Sequence, residues 1–533
     1  MDTDHTGIKT TSAGCDPYFP AAFFTQKPEN KFKPDLSDFT FALITFVLGY
    51  MFSRWVLFSW QGWGVSVFTT AYLLSVTAYL IKKGVFAADT ATWFWLLVTW
   101  AVGVSYALWE NAGFAGLRAF FLFCSATYYV IIASGRTIMG KTGNYLPVDG
   151  LNAVIILPFR NFINQYVSFS AAGKGEKRGK TLPVLLGALL ALLLLMLLIP
   201  MLMRADSGGF SLILKFFVDA FGFIGPEFLL YAILTIPVSA YIYGLMSGAA
   251  HEKGTDLIKP DSARETVRAI RIIPPATINI VIGAICFVYV VFILSQIPYF
   301  FLAFTGRRPA GWLVYSEYAR RGFFELSGIA AINLVVLTIG NLTSKKHRGE
   351  SKTLKALNIA LALITLILIA TAFSKMALYI SVYGLTMPRL LPCVFMLFLA
   401  VVFAALIALQ KYSFSIVRFS LVTGAVIFFA LCAINPDALV VRYNTNRYLS
   451  GTLSQYDVDI LYRAGSAGVK PSMEVYEATQ DEVLKQQIAT YLRSISYAGG
   501  DGGHVQSLES YRTKELLHGI RLKLNLDDIF RKR

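Results

Sequence analysis

Between residues 38 and 433 polar positions are few and grouped, and the apolar runs between them recur at lengths near a membrane crossing. A helix needs about 20 mainly apolar residues to cross roughly 30 Å of hydrocarbon. Eleven stretches qualify, approximately 38–58, 63–81, 91–109, 117–135, 182–203, 226–246, 277–303, 323–342, 355–373, 389–409 and 414–433. The third and fourth are the least distinct, because Glu110 and Arg118 crowd their boundary. The pattern changes at Ile434–Ser450. Asn435 suits an N-cap, Pro436 the first helical position, and Asp437 the positive end of a new helix; Ser450-Gly451 reads as its stop.

Downstream, the apolar positions take up helical spacing at the surface of something water-soluble. Val483, Leu484, Ile488, Tyr491, Leu492 and Ile495 form one face, and Leu516, Leu517, Ile520 and Leu524 another. Shorter units are expected near 436–449, 457–464 and 471–478, and Asp501-Gly502-Gly503 separates the last two helices. The predicted fold is therefore all-α: a polytopic bundle of about eleven transmembrane helices at 38–433, after a polar tail at 1–37 and before a small helical domain at 434–533. The tail lacks the short apolar core of a signal peptide.

Composition agrees. Hydrophobic residues make up 56 % and charged ones 15 %, too apolar for a water-soluble core. The net charge of +16 would suit nucleic acid, but the basic residues sit in loops between apolar runs, where topology explains them. With the N-terminus inside, Lys and Arg number 25 on the inner side and 10 in the outer loops. An odd number of crossings then places Asn435–Arg533 outside. Three further stretches are read as non-spanning. Gly150–Ser170, broken by Pro158 and followed by the basic run Lys174–Lys180, reads as helices along the inner surface or as a packed loop. Phe210–Phe223 reads as an outer amphipathic helix, and Arg264–Arg271 as a basic inner loop.

Candidate chemistry lies at the outer interface. Glu317, Arg321 and Glu325 follow i, i+4, i+8 and share a helix face as a ladder of ion pairs. Glu325 is the deepest and the natural candidate for substrate or proton binding; the alternative is that the ladder docks the C-terminal domain or pairs with Arg389. Between Lys375 and Arg389, Tyr379 and Tyr383 are helical neighbours, Gly384 can end one helix, and Thr386 with Pro388 can start the next. The candidate cluster is Glu317, Arg320, Arg321, Glu325, Tyr383, Arg389, Asn435, Asp437, Arg442 and Asn444, with Glu110, Arg118, Glu227 and Lys375 placed by topology at the same interface.

Other familiar signals fail. Ala172–Thr181 imitates a phosphate loop but carries Lys174 where glycine is required. There is no GxSxG or HExxH, and no CxxC among the five cysteines; the five histidines are scattered. No metal site and no cofactor are expected.

The segments YARRGFFEL (Tyr318–Leu326), YGLTMPR (Tyr383–Arg389) and NPDALVVRYNTNRY (Asn435–Tyr448), followed by Asp457-Val-Asp459, resemble a family of bacterial polytopic membrane proteins described only as a domain of unknown function. The resemblance covers roughly residues 225–480 and implies the bacterial cytoplasmic (inner) membrane; it implies no reaction. The functional expectation is a non-enzymatic protein that senses, scaffolds or regulates at the envelope. Its partners would be the lipid bilayer and a protein met by the external helical domain, with no nucleic acid. The alternatives are a secondary transporter of a solute or proton using Glu325 and Arg321, and a membrane enzyme on an envelope substrate with Glu317 or Glu325 as acid or base.

Overall fold

A computed structural model describes residues 32–138, 142–143, 145–172, 187, 194, 198, 201–202, 226–251, 265, 269–304, 315–345, 351–497 and 505–524. Among these residues the chain is all-α, and ten helices are long and apolar enough to cross a membrane. The protein is a multi-pass membrane protein. The spanning helices are α1 (Leu36–Trp55), α2 (Gly62–Lys82), α3 (Thr90–Leu108), α4 (Ala115–Ala133), α7 (Pro226–Ala250), α8 (Pro275–Phe304), α9 (Tyr315–Thr343), α10 (Lys352–Tyr383), α11 (Met387–Ala408) and α12 (Ile416–Ile434). They coincide with ten of the eleven expected stretches, including the crowded third and fourth. The stretch 182–203, the Lys174–Lys180 run and Phe210–Phe223 lie outside the described residues, apart from isolated helical positions within 182–203.

Packing divides the bundle. Helices α1 to α4 and α7 surround one apolar core, with Phe41, Leu80, Trp95, Ile131 and Met246 in it. Helices α8 to α11 surround another, with Ile282, Phe323, Leu361, Leu368 and Phe403. Helix α12 lies against both α11 and α3. Between lipid-exposed helices there is little hydrophobic drive to associate, so close approach and buried polar contacts specify the fit. At Gly49 of α1 an added Cβ would stand 2.9 Å from the Thr235 carbonyl oxygen of α7. Asn333 Nδ2 of α9 donates to Thr365 Oγ1 of α10 at 2.9 Å, and Tyr289 Oη of α8 to Asn333 Oδ1 at 2.8 Å. Gly49→Val is expected to force α1 from α7 and cost about 1–3 kcal/mol. A lowered melting temperature in detergent, beside an unchanged Gly116→Ala control whose Cβ meets nothing within 4 Å, checks it.

One end of the bundle is closed by ion pairs. Asp38 is fully buried at the start of α1 and receives Lys83 Nζ at 2.9 Å, His251 Nε2 at 3.1 Å and Tyr79 Oη at 2.7 Å. At this same end Arg136 donates to the Ala249 carbonyl at 3.0 Å and Arg418 to the Thr142 carbonyl at 2.7 Å.

The stretch around Pro158 forms α5 (Leu146–Arg160) and α6 (Asn164–Ala172), bent by 42° from each other. Proline cannot donate a helical hydrogen bond, and a π-helical turn at Asn152–Ile156 precedes it. The pair crosses the Asp38 end of the bundle. Tyr241 Oη donates to the Val154 carbonyl at 2.8 Å, Gln165 Nε2 to the Ala42 carbonyl at 3.2 Å, and Phe169 meets Phe39 edge-on. One face is buried at Ala153, Leu157 and Gln165, while Leu151, Ile155 and Phe159 are exposed.

Beyond α12 come α13 (Pro436–Leu449), α14 (Asp459–Ala464), α15 (Val469–Ala478), α16 (Glu482–Tyr497) and α17 (Leu508–Leu524). Leu484, Ile488, Tyr491 and Leu517 are buried against them, whereas Val483 and Leu516 are exposed. This core is continuous with Val102, Tyr106, Phe114 and Leu122 of the bundle, so the helices sit on the end opposite Asp38.

Candidate functional site

The seam between the bundle and the C-terminal helices is built from one residue outward. Asn435 alone separates α12 from α13, with φ at 54°, a left-handed backbone that asparagine tolerates better than most side chains. Its Oδ1 accepts from the Ala438 amide at 3.3 Å, and its Nδ2 donates to Glu509 Oε1 at 2.6 Å. Asp437 Oδ2 accepts from the Gly113 amide at 3.0 Å, and Gly113 has no room for a Cβ, which would lie 2.5 Å from Asp437 Oδ1.

The loop between α3 and α4 receives most of the remaining contacts. Glu110 Oε2 accepts from the Ser466 amide at 2.9 Å and its Oε1 from Ser466 Oγ at 2.6 Å. The Glu110 amide itself donates to Glu509 Oε2 at 3.2 Å. Arg118, with none of its surface exposed, holds that loop from beneath. It donates to the Glu110 carbonyl at 2.7 Å and the Trp109 carbonyl at 3.3 Å, with its guanidinium 3.7 Å from the Tyr106 ring centroid.

A second fastening joins α13 to the turn between α10 and α11. Asn444 pairs with both backbone groups of Leu385, accepting at 2.7 Å and donating at 2.6 Å. Gly384 ends α10 with φ at 77°, and α11 starts from Thr386 at the N-cap position, as the spacing predicts, without a capping hydrogen bond from its side chain. Arg389 stacks 4.3 Å over Tyr379 and donates to the Tyr383 carbonyl at 2.8 Å and to that of Gly384.

These contacts place the predicted residues in different settings. Asn435, Asp437 and Asn444 fasten the seam, Arg389 braces the turn between α10 and α11 within the bundle, and Tyr383 is exposed and meets Tyr379 edge-on at 5.2 Å. Arg442 makes an exposed ion pair with Glu474 at 2.8 Å. Arg321 and Glu325 are exposed on α9, and Glu325 acts electrostatically on Lys375 of α10. Glu317 lies in the first turn of α9, with its side chain outside the described residues. Glu227 is exposed at the start of α7.

Between the two fastenings a cavity of about 600 Å³ remains. Its bundle wall carries Arg320, Phe324, Tyr379 and Arg389, and its other wall Asp437, Asp457, Asp459 and Arg463. Burial pushes the Asp437 carboxyl up, opposed by the Gly113 amide and Arg118. Burial likewise pushes Glu509 up, against its contacts with the Glu110 amide and Asn435. Ser466, Glu509 and Arg463 were not legible as site residues, because no local spacing links them to residues hundreds of positions away. Among the described residues no group of three or more His, Cys, Asp or Glu is placed to hold a metal ion.

The chain matches the family profile described as domain of unknown function DUF4153 over residues 68–473. It belongs to the DUF4153 family. The DUF4153 segment begins within α2, well ahead of the stretch whose motifs carry the resemblance, and ends within α15. It therefore holds Glu110, Arg118, Asp437 and Ser466 together with both walls of the cavity, and also Tyr79, Lys83 and His251, while Glu509 and Asp38 itself fall beyond it. No curated protein and no solved structure matches the chain.

Proposed function

We propose that this DUF4153 protein is a sensing or scaffolding component of the bacterial inner membrane, with its N-terminus cytoplasmic and the C-terminal helices outside. In this reading the cavity at the seam receives an envelope component that carries both charges, and its occupancy is transmitted through the fastened helices. The observation that carries the reading is the pairing of a sealed polar seam with a charged cavity left open beside it. Arg320 on the bundle wall faces Arg463, Asp457 and Asp459 on the other. The Lys, Arg and His side chains at the Asp38 end support the orientation, since basic residues favour the cytoplasmic face.

Transport draws less support. Glu325 and Arg321 are exposed, and the cores of the two helix groups are largely apolar. The test is complementation of a deletion strain, scored by detergent and dye resistance, beside solute flux in proteoliposomes. Arg463→Glu is expected to abolish complementation at a normal protein level, and Glu325→Gln to leave it intact. A solute flux that Glu325→Gln abolishes, with complementation indifferent to Arg463→Glu, would replace the sensing reading with transport.

A further inference from the structure

Among α1, α2, α4, α7 and α5 lies a second cavity, of about 440 Å³, separate from the charged one. It follows α7 from Pro237 to Leu245, about 12 Å of helix. Phe159 and the loop residue Phe162, their rings stacked, stand at the Asp38 side, and Trp60 at the other. Four wall residues carry hydroxyls, and all four spend them on backbone carbonyls. Tyr72 donates to Ala126 at 3.4 Å, Tyr241 to Val154 at 2.8 Å, Thr69 to Val65 at 2.8 Å and Thr127 to Cys124 at 3.0 Å.

A cavity water needs two to four polar partners, and a dry apolar cavity of roughly 150 Å³ holds a benzene. This one is about three times larger, enough by the same scaling for on the order of fifteen to twenty carbons. Its walls belong to helices whose surroundings are hydrocarbon, so the matching occupant in greatest supply is a lipid chain. We propose that this cavity is a binding site for the acyl chain of a membrane lipid, held between α1, α2, α4 and α7 with Phe159 and Phe162 as its floor. Pro237, inside α7, lines this wall and cannot donate a helical hydrogen bond there.

The test uses the full chain in phosphatidylethanolamine vesicles doped with the same lipid bearing a diazirine on its acyl chain. After illumination, peptides spanning Leu122–Thr127 and Pro237–Leu245 are expected to be labelled well above the exposed stretch of α8 around Ile280 and Val288. Ala126→Phe, which fills the cavity from α4, is expected to lose that labelling while the α8 labelling persists. Val238→Phe, filling from α7, gives the same readout if the first variant does not accumulate. Labelling spread evenly over the exposed helix faces, or unaltered by the filling substitutions, overturns the proposal.

Discussion

Arg118→Met is expected to destabilise the protein by about 2–6 kcal/mol, the sum for two buried acceptors that lose their donor. The side chain has no exposed surface, and its loss takes the guanidinium away from the carbonyls of Trp109 and Glu110. Each buried acceptor stranded in this way costs about 1–3 kcal/mol. The stacking on Tyr106 is lost as well. Lysine should rescue poorly, since an ammonium cannot reproduce the planar fork that reaches two carbonyls while lying flat on a ring. The effect should travel, because the loop that Arg118 holds is the one Glu110 uses to grip Ser466. Urea unfolding of the detergent-solubilised protein, followed by the fluorescence of its tryptophans, measures the loss. A change below about 1 kcal/mol would place Arg118 among surface substitutions and remove it as the anchor of the seam.

How far the sequence discloses this arrangement depends on how local the determining physics is. Helix existence is local: an apolar run of sufficient length must bury its backbone polar groups within itself, so the spanning helices and the breaks at Gly384 and Asn435 are readable. Helix length is less so. The glycine stop at Gly384 is readable, but α10 runs for 32 residues, about 48 Å, and so past the apolar stretch 355–373, with Lys375 packed beside Gly322 of α9. Which face meets which neighbour is not local at all. The i, i+4, i+8 spacing groups Arg321 with Glu325, yet the residue turned into the charged cavity is Arg320, one position and about 100° away. The same holds for the seam: Glu110 and Glu509 meet across 399 positions of the chain.

Docking of the C-terminal helices is expected to weaken as pH rises from mildly acidic to neutral. Asp437 and Glu509 are held up by burial from ordinary values of 3.8 and 4.5, with Glu110 pushing both further in the same direction. Arg118, the Gly113 amide and Asn435 oppose the shift without reversing it. A carboxyl with a raised pKa binds its proton more tightly in the docked state than when released. Its contribution is therefore most favourable below the ordinary carboxylate range, and is lost progressively as pH climbs from there through the raised value. A carboxyl that holds its proton about tenfold more tightly when docked changes the docking equilibrium by the same factor, so two such groups together move it about a hundredfold. Spin labels at Tyr511→Cys and Leu117→Cys, both exposed positions on opposite sides of the seam, report the separation directly in a cysteine-free background. The urea concentration that parts them should fall between pH 5 and pH 8. Glu509→Gln and Asp437→Asn keep a hydrogen-bonding side chain in place but remove the titration, and each should flatten the profile by its own share. A profile that stays flat in the parent, or rises with pH, would mean that the Gly113 and Glu110 amides outweigh burial and that both carboxylates are ionised throughout.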